Sequence, residues 1–439
     1  MTTKISLDRP SRRRNHPASV GLSRLSRLSG LALALAATVG LVAACGDDGD
    51  EPATPTPSAS AAASVLGPVA PAKGEPVKIG VILEGKSTVS DMSVQDPVVD
   101  AAVQWLNEHR SGIEGRPIQV VTCEALGDPG KATDCGNLMV EENVVAAVIG
   151  ESAVMEPAWR PLHDAKIPVM INGTSDPGIL ADKDSTFVLL EGTAGTIGLP
   201  IQVAKEKGLK KVTGIVIDVP AATALQTNVA PAEYEKAGIE FELIRIPPGT
   251  ADMTPQLGAV TSGEPSLAFV LGNDAFCISA FNGLRAVGFT GPISAIAQCV
   301  TDATRKAVSG DVLDGMEISA ATPIGTDNPA TQLYKAVIDK YAPSVDTSKA
   351  AGMIMFTTIA ALQTSLSGIT GEITPASVTS TIRAMPESEL PAGGGIKFKC
   401  DGKASTMSAT FCSRGTLVAT LDDKGVPETY TAMGTAASG

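Results

Sequence analysis

The chain has 439 residues, with 47 acidic and 34 basic side chains and a formal net charge of −13 at pH 7. This acidic balance argues against a nucleic-acid partner and against adsorption on an anionic lipid surface. Aromatic residues make up only 3% of the chain, so a ligand held between stacked rings is less attractive. About 360 residues remain after the N-terminal leader and linker, too many for one small core, so two lobes are expected.

Residues 1–44 have the layout of a secretory signal peptide. Seven basic residues precede a short apolar run that ends in small residues. Residues 42–45, VAAC, resemble a bacterial lipobox, which predicts lipidation of Cys45. An ordinary cleaved signal with an incidental cysteine is the alternative, and the Sec and twin-arginine export routes both stay open. Residues 45–76, rich in Pro, Ser, Thr and Ala, are predicted to form a disordered tether to the membrane.

The first predicted elements alternate apolar strands with helices. Strands are expected at 77–83, 118–123, 144–150 and 167–171, separated by helices at 97–110, 128–142 and 153–165. Continuous apolar strands joined by helices are typical of a parallel sheet that is covered on both faces. The sequence therefore predicts a first α/β lobe of the Rossmann-like kind.

A second series of the same type follows. Strands are expected at 186–190, 211–217, 239–246, 267–271 and 292–296, with helices at 194–207, 222–237 and 275–287. Residues 317–320 are expected to lead back to the first lobe, where helices at 329–341, 350–366 and 375–384 follow, before short β segments at 395–431. The predicted lobes are 77–190 with 320–412, and 191–319 with 413–439, linked by a hinge.

Six cysteines remain once Cys45 is assigned to the lipid, and an even number in an exported chain suggests disulfides. Fifteen pairings are possible for six cysteines. Local pairing is the simplest, and the connectivity stays open. The three local pairs are Cys123–Cys135, Cys277–Cys299 and Cys400–Cys412.

No enzyme, metal or cofactor site is predicted. Residues 80–87, GVILEGKS, fit the phosphate-binding pattern GxxxxGK[ST], but most of the positions that should form a loop belong to the first strand. Residues 150–154 lack the second glycine of a hydrolase nucleophile elbow. His109 and His163 are both expected at the surface, so no base is predicted for a nucleophile, and no metal-binding spacing is visible.

The order and spacing of several short motifs resemble the type 1 periplasmic binding proteins, specifically the leucine/isoleucine/valine-binding branch. The matching segments are 78–81, KIGV; 101–108, AAVQWLNE; 112–118, GIEGRPI; 127–132, GDPGKA; 146–150, AAVIG; and 167–170, IPVM. The resemblance implies a hinged, two-lobed clamp of the Venus-flytrap type. Residues 83–87 and the six cysteines depart from the family pattern.

Ligands of open α/β sheets bind beyond the carboxyl ends of the strands. In the first lobe this rule selects residues 84–87, including Lys86, and the turns that carry Ser152, Ala153, Thr174 and Ser175. The resemblance implies that the last two turns grip a ligand carboxylate, as hydroxyls and free amides at a helix start suit an anion. The competing interpretation is that Ser152 and Ser175 are simple helix caps.

In the second lobe the strand ends offer Asp218, Asp274 and Gln298. The resemblance implies an acid near Gln298 to bind the ammonium of an amino acid, and this chain has an amide there. Asp218 or Asp274 could substitute, or the ligand lacks an ammonium. Each is equally well explained as a solvated loop residue or a helix cap.

These observations predict an extracytoplasmic, lipid-anchored, monomeric binding protein that delivers a small solute to the permease of an ABC importer. A branched-chain amino acid, an amide and a small carboxylate are all candidate ligands. A ligand-sensing partner of a signalling protein is the alternative, because the same fold serves both roles. An α/β hydrolase is less favoured, and neither a cofactor nor a nucleic-acid partner is expected.

Overall fold

The computed structural model of the protein describes residues 3–4, 65–87, 91–261 and 263–434. Apart from residues 3–4, the predicted signal peptide lies outside these residues. The lipidation of Cys45 and most of the predicted tether also lie outside them. Within the described part of the chain, no helix is both long enough and apolar enough to span a bilayer.

The strands form two large sheets and one small one. In chain order they are β1 Thr3–Lys4, β2 Val77–Leu83, β3 Ile118–Glu124, β4 Ala146–Ile149, β5 Val169–Ile171, β6 Thr186–Val188, β7 Lys211–Ile217, β8 Glu240–Ile246, β9 Ser266–Leu271, β10 Ile293–Ile296, β11 Glu317–Ala320, β12 Ser388–Glu389, β13 Lys397–Phe398, β14 Thr416–Thr420 and β15 Thr431–Met433. The first sheet has the order β1-β3-β2-β4-β5-β6, and the second has the order β15-β14-β11-β10-β9-β7-β8. All neighbours are parallel except at β14 and β15, and β12 and β13 pair alone.

The helices fall mainly between the strands. They are α1 Gln95–His109, α2 Pro129–Glu141, α3 Met155–Asp164, α4 Pro177–Ala181, α5 Leu199–Glu206, α6 Pro220–Asn228, α7 Ala230–Ala237, α8 Thr254–Leu257, α9 Asp274–Ala286, α10 Asp302–Ala307, α11 Gly310–Leu313, α12 Pro329–Tyr341, α13 Ala350–Ser365 and α14 Pro375–Ala384. A π-helical turn, Ala194–Gly198, precedes α5. Two 3-10 turns, Gly258–Thr261 and Ala297–Cys299, follow α8 and β10.

Each sheet has a hydrophobic core on both faces. In β2, Val81 faces the core formed with α1, α12, α13 and α14, while Ile82 faces the core formed with α2 and α3. In β7, Ile215 faces α9 and Val216 faces α5 and α7. Alternate residues of a strand point to opposite faces, so a continuous apolar run buries both of them. The predicted α/β architecture, two lobes with mainly parallel sheets, is confirmed.

The chain passes between the two sheets three times: after β6, after β11 and before β14. The first and last passages lie side by side. The Val188 amide donates to Thr410 O at 2.8 Å, and the Glu191 amide donates to Ser413 O at 3.0 Å. Short paired segments of this kind can act as a hinge while each sheet stays intact.

All six described cysteines are joined in disulfides. The pairs are Cys123–Cys135, Cys277–Cys299 and Cys400–Cys412. This is the local pairing favoured from the sequence. Two of the disulfides tie a strand end or the turn after it to a helix, and the third joins two segments near the passages between the sheets.

Three regions differ from the sequence prediction. The strand expected at 186–190, at the start of the second series, is β6 of the first sheet. The single helix expected at 222–237 is two helices that meet at Val229, because Pro231 has no N–H to continue the ladder. Part of the predicted tether packs against α1. Leu66 is only 5% exposed, and its carbonyl accepts a hydrogen bond from Trp105 Nε1 at 3.1 Å.

The prediction that His109 lies at the surface is wrong. The segment before β2 covers the end of α1 and leaves His109 only 6% exposed. His109 Nδ1 is 2.9 Å from Gly67 O, and Nε2 is 3.0 Å from Lys340 Nζ. His163 lies 3.2 Å from the buried carboxylate of Asp182. Both histidines therefore have structural partners.

Asp182 anchors the turn that follows α4. Burial raises the pKa of this carboxyl, but the hydroxyls of Thr186 and Ser185, each donating at 2.7 Å, outweigh it and lower the pKa to about 2. Thr186 also accepts a hydrogen bond from Trp159 Nε1 at 2.8 Å. The ionised Asp182 thus fixes the start of β6, which leads directly to the first passage between the sheets.

Candidate ligand site at the strand ends

Three neighbouring strands of the first sheet end beside one another. The order β2-β4-β5 brings together the turns 84–87, 150–154 and 172–176, which follow the carboxyl ends of these strands. Residues 80–83 belong to β2, so the phosphate-loop pattern is part of a strand there. The predicted first-lobe residues therefore lie along one edge of the sheet.

A direct contact joins two of these turns. Ser152 Oγ donates to Glu84 Oε2 at 2.6 Å. Ser152 Oγ also accepts a hydrogen bond from the Val154 amide at 3.1 Å. Glu84 is only 1% exposed. The hydroxyl hydrogen of Ser152 is therefore used by a carboxylate of the chain, which leaves it poorly placed to donate to an anionic ligand.

The third turn is organised by helix capping. Thr174 Oγ1 accepts from the Asp176 amide at 3.1 Å, and Asp176 Oδ1 accepts from the Ile179 amide at 3.0 Å. Thr174 and Ser175 are half-buried, and Ala153 on the neighbouring turn is exposed. The hydroxyl of Thr174 can still donate, because its own oxygen only accepts in this turn.

Lys86 lies at the outer end of the first turn. Its side chain is 74% exposed and forms an ion pair with Asp91, with Nζ 3.1 Å from Oδ2. Hydrogen bonds from Ser93 and Lys86 lower the pKa of Asp91 to about 2. An exposed, paired ammonium group of this kind adds little attraction for an anion at the strand ends.

The predicted residues of the second lobe also share one edge, because β10, β9 and β7 are neighbours. Asp218 is exposed, 3.8 Å from Arg245 Nη1. Asp274 Oδ2 accepts from Thr301 Oγ1 at 3.2 Å, and Gln298 is exposed. Ala297, next to Gln298, packs against the core of its own lobe and against a second cluster that includes Ala320 of β11 and Leu417 of β14 together with first-lobe residues.

Three polar side chains at the first edge were missed from the sequence. Glu151 makes no hydrogen bond or ion pair with any described residue, and burial raises its pKa to about 7. Gln95 is fully buried, and neither amide atom has a partner within the described residues; the same holds for Asn172 Nδ2. In the sequence, the only feature that could have identified Glu151 as a site residue was its position next to Ser152.

The profile of the family described as "Periplasmic binding protein" matches residues 76–412, well over half of the chain. The chain belongs to the periplasmic binding protein family. The type 1 architecture implied by the sequence resemblance is confirmed.

Solved structures with the same fold include several periplasmic binding proteins. The LivJ branched-chain amino acid transporter substrate binding protein of Streptococcus pneumoniae, in complex with isoleucine, has 15% identity and a TM-score of 0.61. The alignment covers 82% of this chain and 99% of that one. The leucine binding protein LivK of Thermotoga maritima has 16% identity, a TM-score of 0.62, and coverage of 81% and 97%.

A Rhodopseudomonas palustris solute binding protein, in complex with 4-hydroxybenzoate, has 17% identity and a TM-score of 0.64. The alignment covers 82% of this chain and 98% of that one. No curated protein matches the chain. At these identities the solved structures establish the fold alone, and the ligands in their names belong to those proteins.

This periplasmic binding protein also has a cavity away from the strand ends. It measures about 520 Å³ and lies between α1, α12, α13 and the loop after β12, with Trp105, Leu333, Gln363 and Leu390 among its lining residues. It contains none of the residues predicted to bind ligand.

The described residues hold no group of histidine, cysteine and acidic side chains placed to bind a metal ion.

Proposed function

We propose that this periplasmic binding protein captures a small solute outside the cytoplasm between its two lobes and delivers it to an ABC importer. The observation that carries the proposal is the arrangement of the two sheets. Each sheet gathers polar turns at the carboxyl ends of its central strands, and three chain passages connect the two. Solved relatives of this fold are named as transporter substrate-binding proteins, which agrees with the proposal.

The proposed site lies between the two edges. The first lobe would contribute the turns that carry Ser152 with Ala153 and Thr174 with Ser175, and Lys86 would stand at the rim. The second lobe would contribute Asp218, Asp274 and Gln298. Ligand contacts to both lobes would favour the closed state over the open one.

The domain limits are part of the proposal. Lobe 1 would consist of residues 77–190 and 320–412, and lobe 2 of 191–319 and 413–439. A signal peptide at 1–44, lipidation of Cys45 and a tether beginning at that residue would hold the protein at the outer face of the membrane as a monomer. The partner would be the permease of the importer, and no cofactor would be needed.

A thermal-shift screen of the mature chain tests solute capture. Amino acids, amides, carboxylates and aromatic acids are added singly, and a solute that binds only the folded state raises Tm. Uptake of the radiolabelled hit is then compared in cells with and without the gene. A hit whose uptake is unchanged would favour the sensing role, and a screen in which no solute raises Tm would contradict solute capture.

A further inference from the structure

Glu151 occupies an unusual place in the first lobe. It follows β4 after Gly150, where the polypeptide leaves the sheet at the candidate ligand edge. Its side chain keeps part of its surface exposed, yet it makes no hydrogen bond or ion pair with the described residues. A carboxyl group that is crowded by protein but has no partner in the described part of the chain is a candidate for contact with a ligand.

Two amides at the same edge are also without partners in the described residues. Gln95, at the start of α1, is 0% exposed, and both of its amide atoms lack a hydrogen bond. It points at the turn of Glu151, because a Cβ on Gly150 would lie only 2.7 Å from Gln95 Oε1. Asn172 Nδ2, on the turn after β5, is buried and unpartnered as well. Buried polar groups are nearly always satisfied, so these amides indicate that a group beyond the described residues completes the site, and a bound solute is a candidate for that group.

Acidic side chains outnumber basic ones around the site. Glu84 lies against the same turn through its hydrogen bond with Ser152, so the turns after β2 and β4 each carry a carboxyl group. Lys86, the basic residue of the first turn, is exposed and paired with Asp91. An ionised carboxylate brought to this edge would meet two acids and no free cation among the described residues of these turns. A cation would meet favourable charge.

We propose that Glu151 makes the first-lobe edge a site for a solute with a positively charged nitrogen, an ammonium or amidinium group, and that the amides of Gln95 and Asn172 bind the neutral polar groups of that solute. The inference rests on the proposed solute capture and adds the charge class of the solute. It replaces the ligand-carboxylate grip predicted for this edge.

The titration of Glu151 supports the geometry. Burial alone raises its pKa to about 7, so this carboxyl exchanges a proton in the neutral range. A bound cation favours the ionised form, so binding releases a proton and strengthens as the pH rises. An anion would require the protonated form, so its binding would weaken as the pH rises.

Other charged groups on the surrounding elements are already engaged within the chain. From α1 and α13, the side chains nearest a Cβ on Gly150 are Gln95 and Met355, which are uncharged, and the acids Asp96 and Asp100 of α1 have partners within the chain. The engaged charged groups are Glu84 with Ser152, Lys86 with Asp91, Glu156 with Arg160 on α3, and Asp176 at the start of α4. Glu151 is therefore the group whose proton should respond to the ligand.

The test uses matched probes with the mature chain in isothermal titration calorimetry. Short aliphatic, branched and aromatic skeletons are each supplied as the amine, the neutral amide and the carboxylate. We expect amines to bind and their affinity to rise about tenfold between pH 5.5 and pH 8. Binding by carboxylates alone would overturn the cationic-solute proposal but leave solute capture standing. Failure of every probe would contradict both.

Glu151→Gln keeps the shape of the side chain and removes the charge. We expect this substitution to lower the affinity for the best amine by roughly ten- to a hundredfold and to abolish the pH dependence of binding. The affinity for a neutral amide should change little. Glu156→Gln, on the adjacent helix, is the matched control and should bind as the wild type does. Far-ultraviolet circular dichroism confirms folding. Equal loss of amine and amide binding in Glu151→Gln would assign Glu151 a structural role and refute the proposal.

Discussion

The pH dependence of folding offers a ligand-free test of the environment of Glu151. Burial raises the pKa of this carboxyl from its ordinary value of 4.5 to about 7. Between these two pH values the folded state keeps a proton that the unfolded state has lost. The free energy of unfolding therefore falls as the pH rises through this window, and the full cost is present above about pH 7.

The magnitude follows from the size of the pKa change. At about 1.36 kcal/mol per pH unit, a rise from 4.5 to about 7 corresponds to about 3.4 kcal/mol. Water that reaches the partly exposed side chain screens the charge, so we expect about 2 kcal/mol. The Glu151→Gln variant has no ionisable carboxyl at this position, so ionisation at high pH does not destabilise it. The stability of the variant relative to the wild type should rise by about 2 kcal/mol from pH 5 to pH 8.

Urea unfolding followed by tryptophan fluorescence measures this difference. Trp105 and Trp159 are both buried in the first lobe, so their emission reports on the half of the molecule that contains Glu151. Unfolding curves are recorded for both proteins at pH 5, 6, 7 and 8. Glu156→Gln, which breaks a surface ion pair with Arg160, should change stability by less than about 1 kcal/mol throughout. A Glu151→Gln difference that is the same at pH 5 and pH 8 would refute the assigned burial.

Three further changes test the framework around the site. Replacing Cys277 and Cys299 by serine opens a loop with a sequence separation of 22 and should lower the free energy of unfolding by about 3 kcal/mol, measured in urea with untreated and reduced wild type as references. Ser152→Ala removes a donor from the buried carboxylate of Glu84 and should cost about 1–3 kcal/mol; an unchanged urea midpoint would show that water replaces the hydroxyl. Asp182→Asn should destabilise at pH 7, because the lowered pKa of Asp182 contributes stability above about pH 4 that is lost as the pH falls through about 2, so the two proteins should converge in acid.

The architecture could be predicted because it depends on residues that are close in sequence. Runs such as 77–83 and 211–217 are apolar throughout, and a strand buried on both faces requires that pattern. The disulfide pairs also follow from short separations. The break at Val229 could have been predicted from Pro231, whose missing N–H limits the preceding helix.

The chemistry of the ligand edge could not be predicted in the same way. Ser152 and Glu84 are 68 positions apart, and their contact exists only because β2 and β4 are neighbours in the sheet. Without that contact, a serine at a helix start suggests an anion site. With it, the same serine serves a carboxylate. Gln95 shows the same limit, since neither its burial nor its unpartnered amide can be inferred from the residues around it.

Acidic residues on both lobes link the charge of the solute to closure of the lobes. Glu151 belongs to the first edge, while Asp274, whose partner Thr301 is uncharged, follows a strand of the second; Asp218 at that edge is paired with Arg245. If the edges approach one another on closure, like charges are brought together, so the empty closed state is disfavoured when Glu151 is ionised. A cation between the lobes would remove that repulsion and favour closure. Small-angle X-ray scattering should then show a smaller radius of gyration with a bound amine at pH 8. Without ligand, the radius should decrease from pH 8 to pH 5.5 in the wild type but not in Glu151→Gln, and an equal response in both proteins would disconnect this carboxyl from closure.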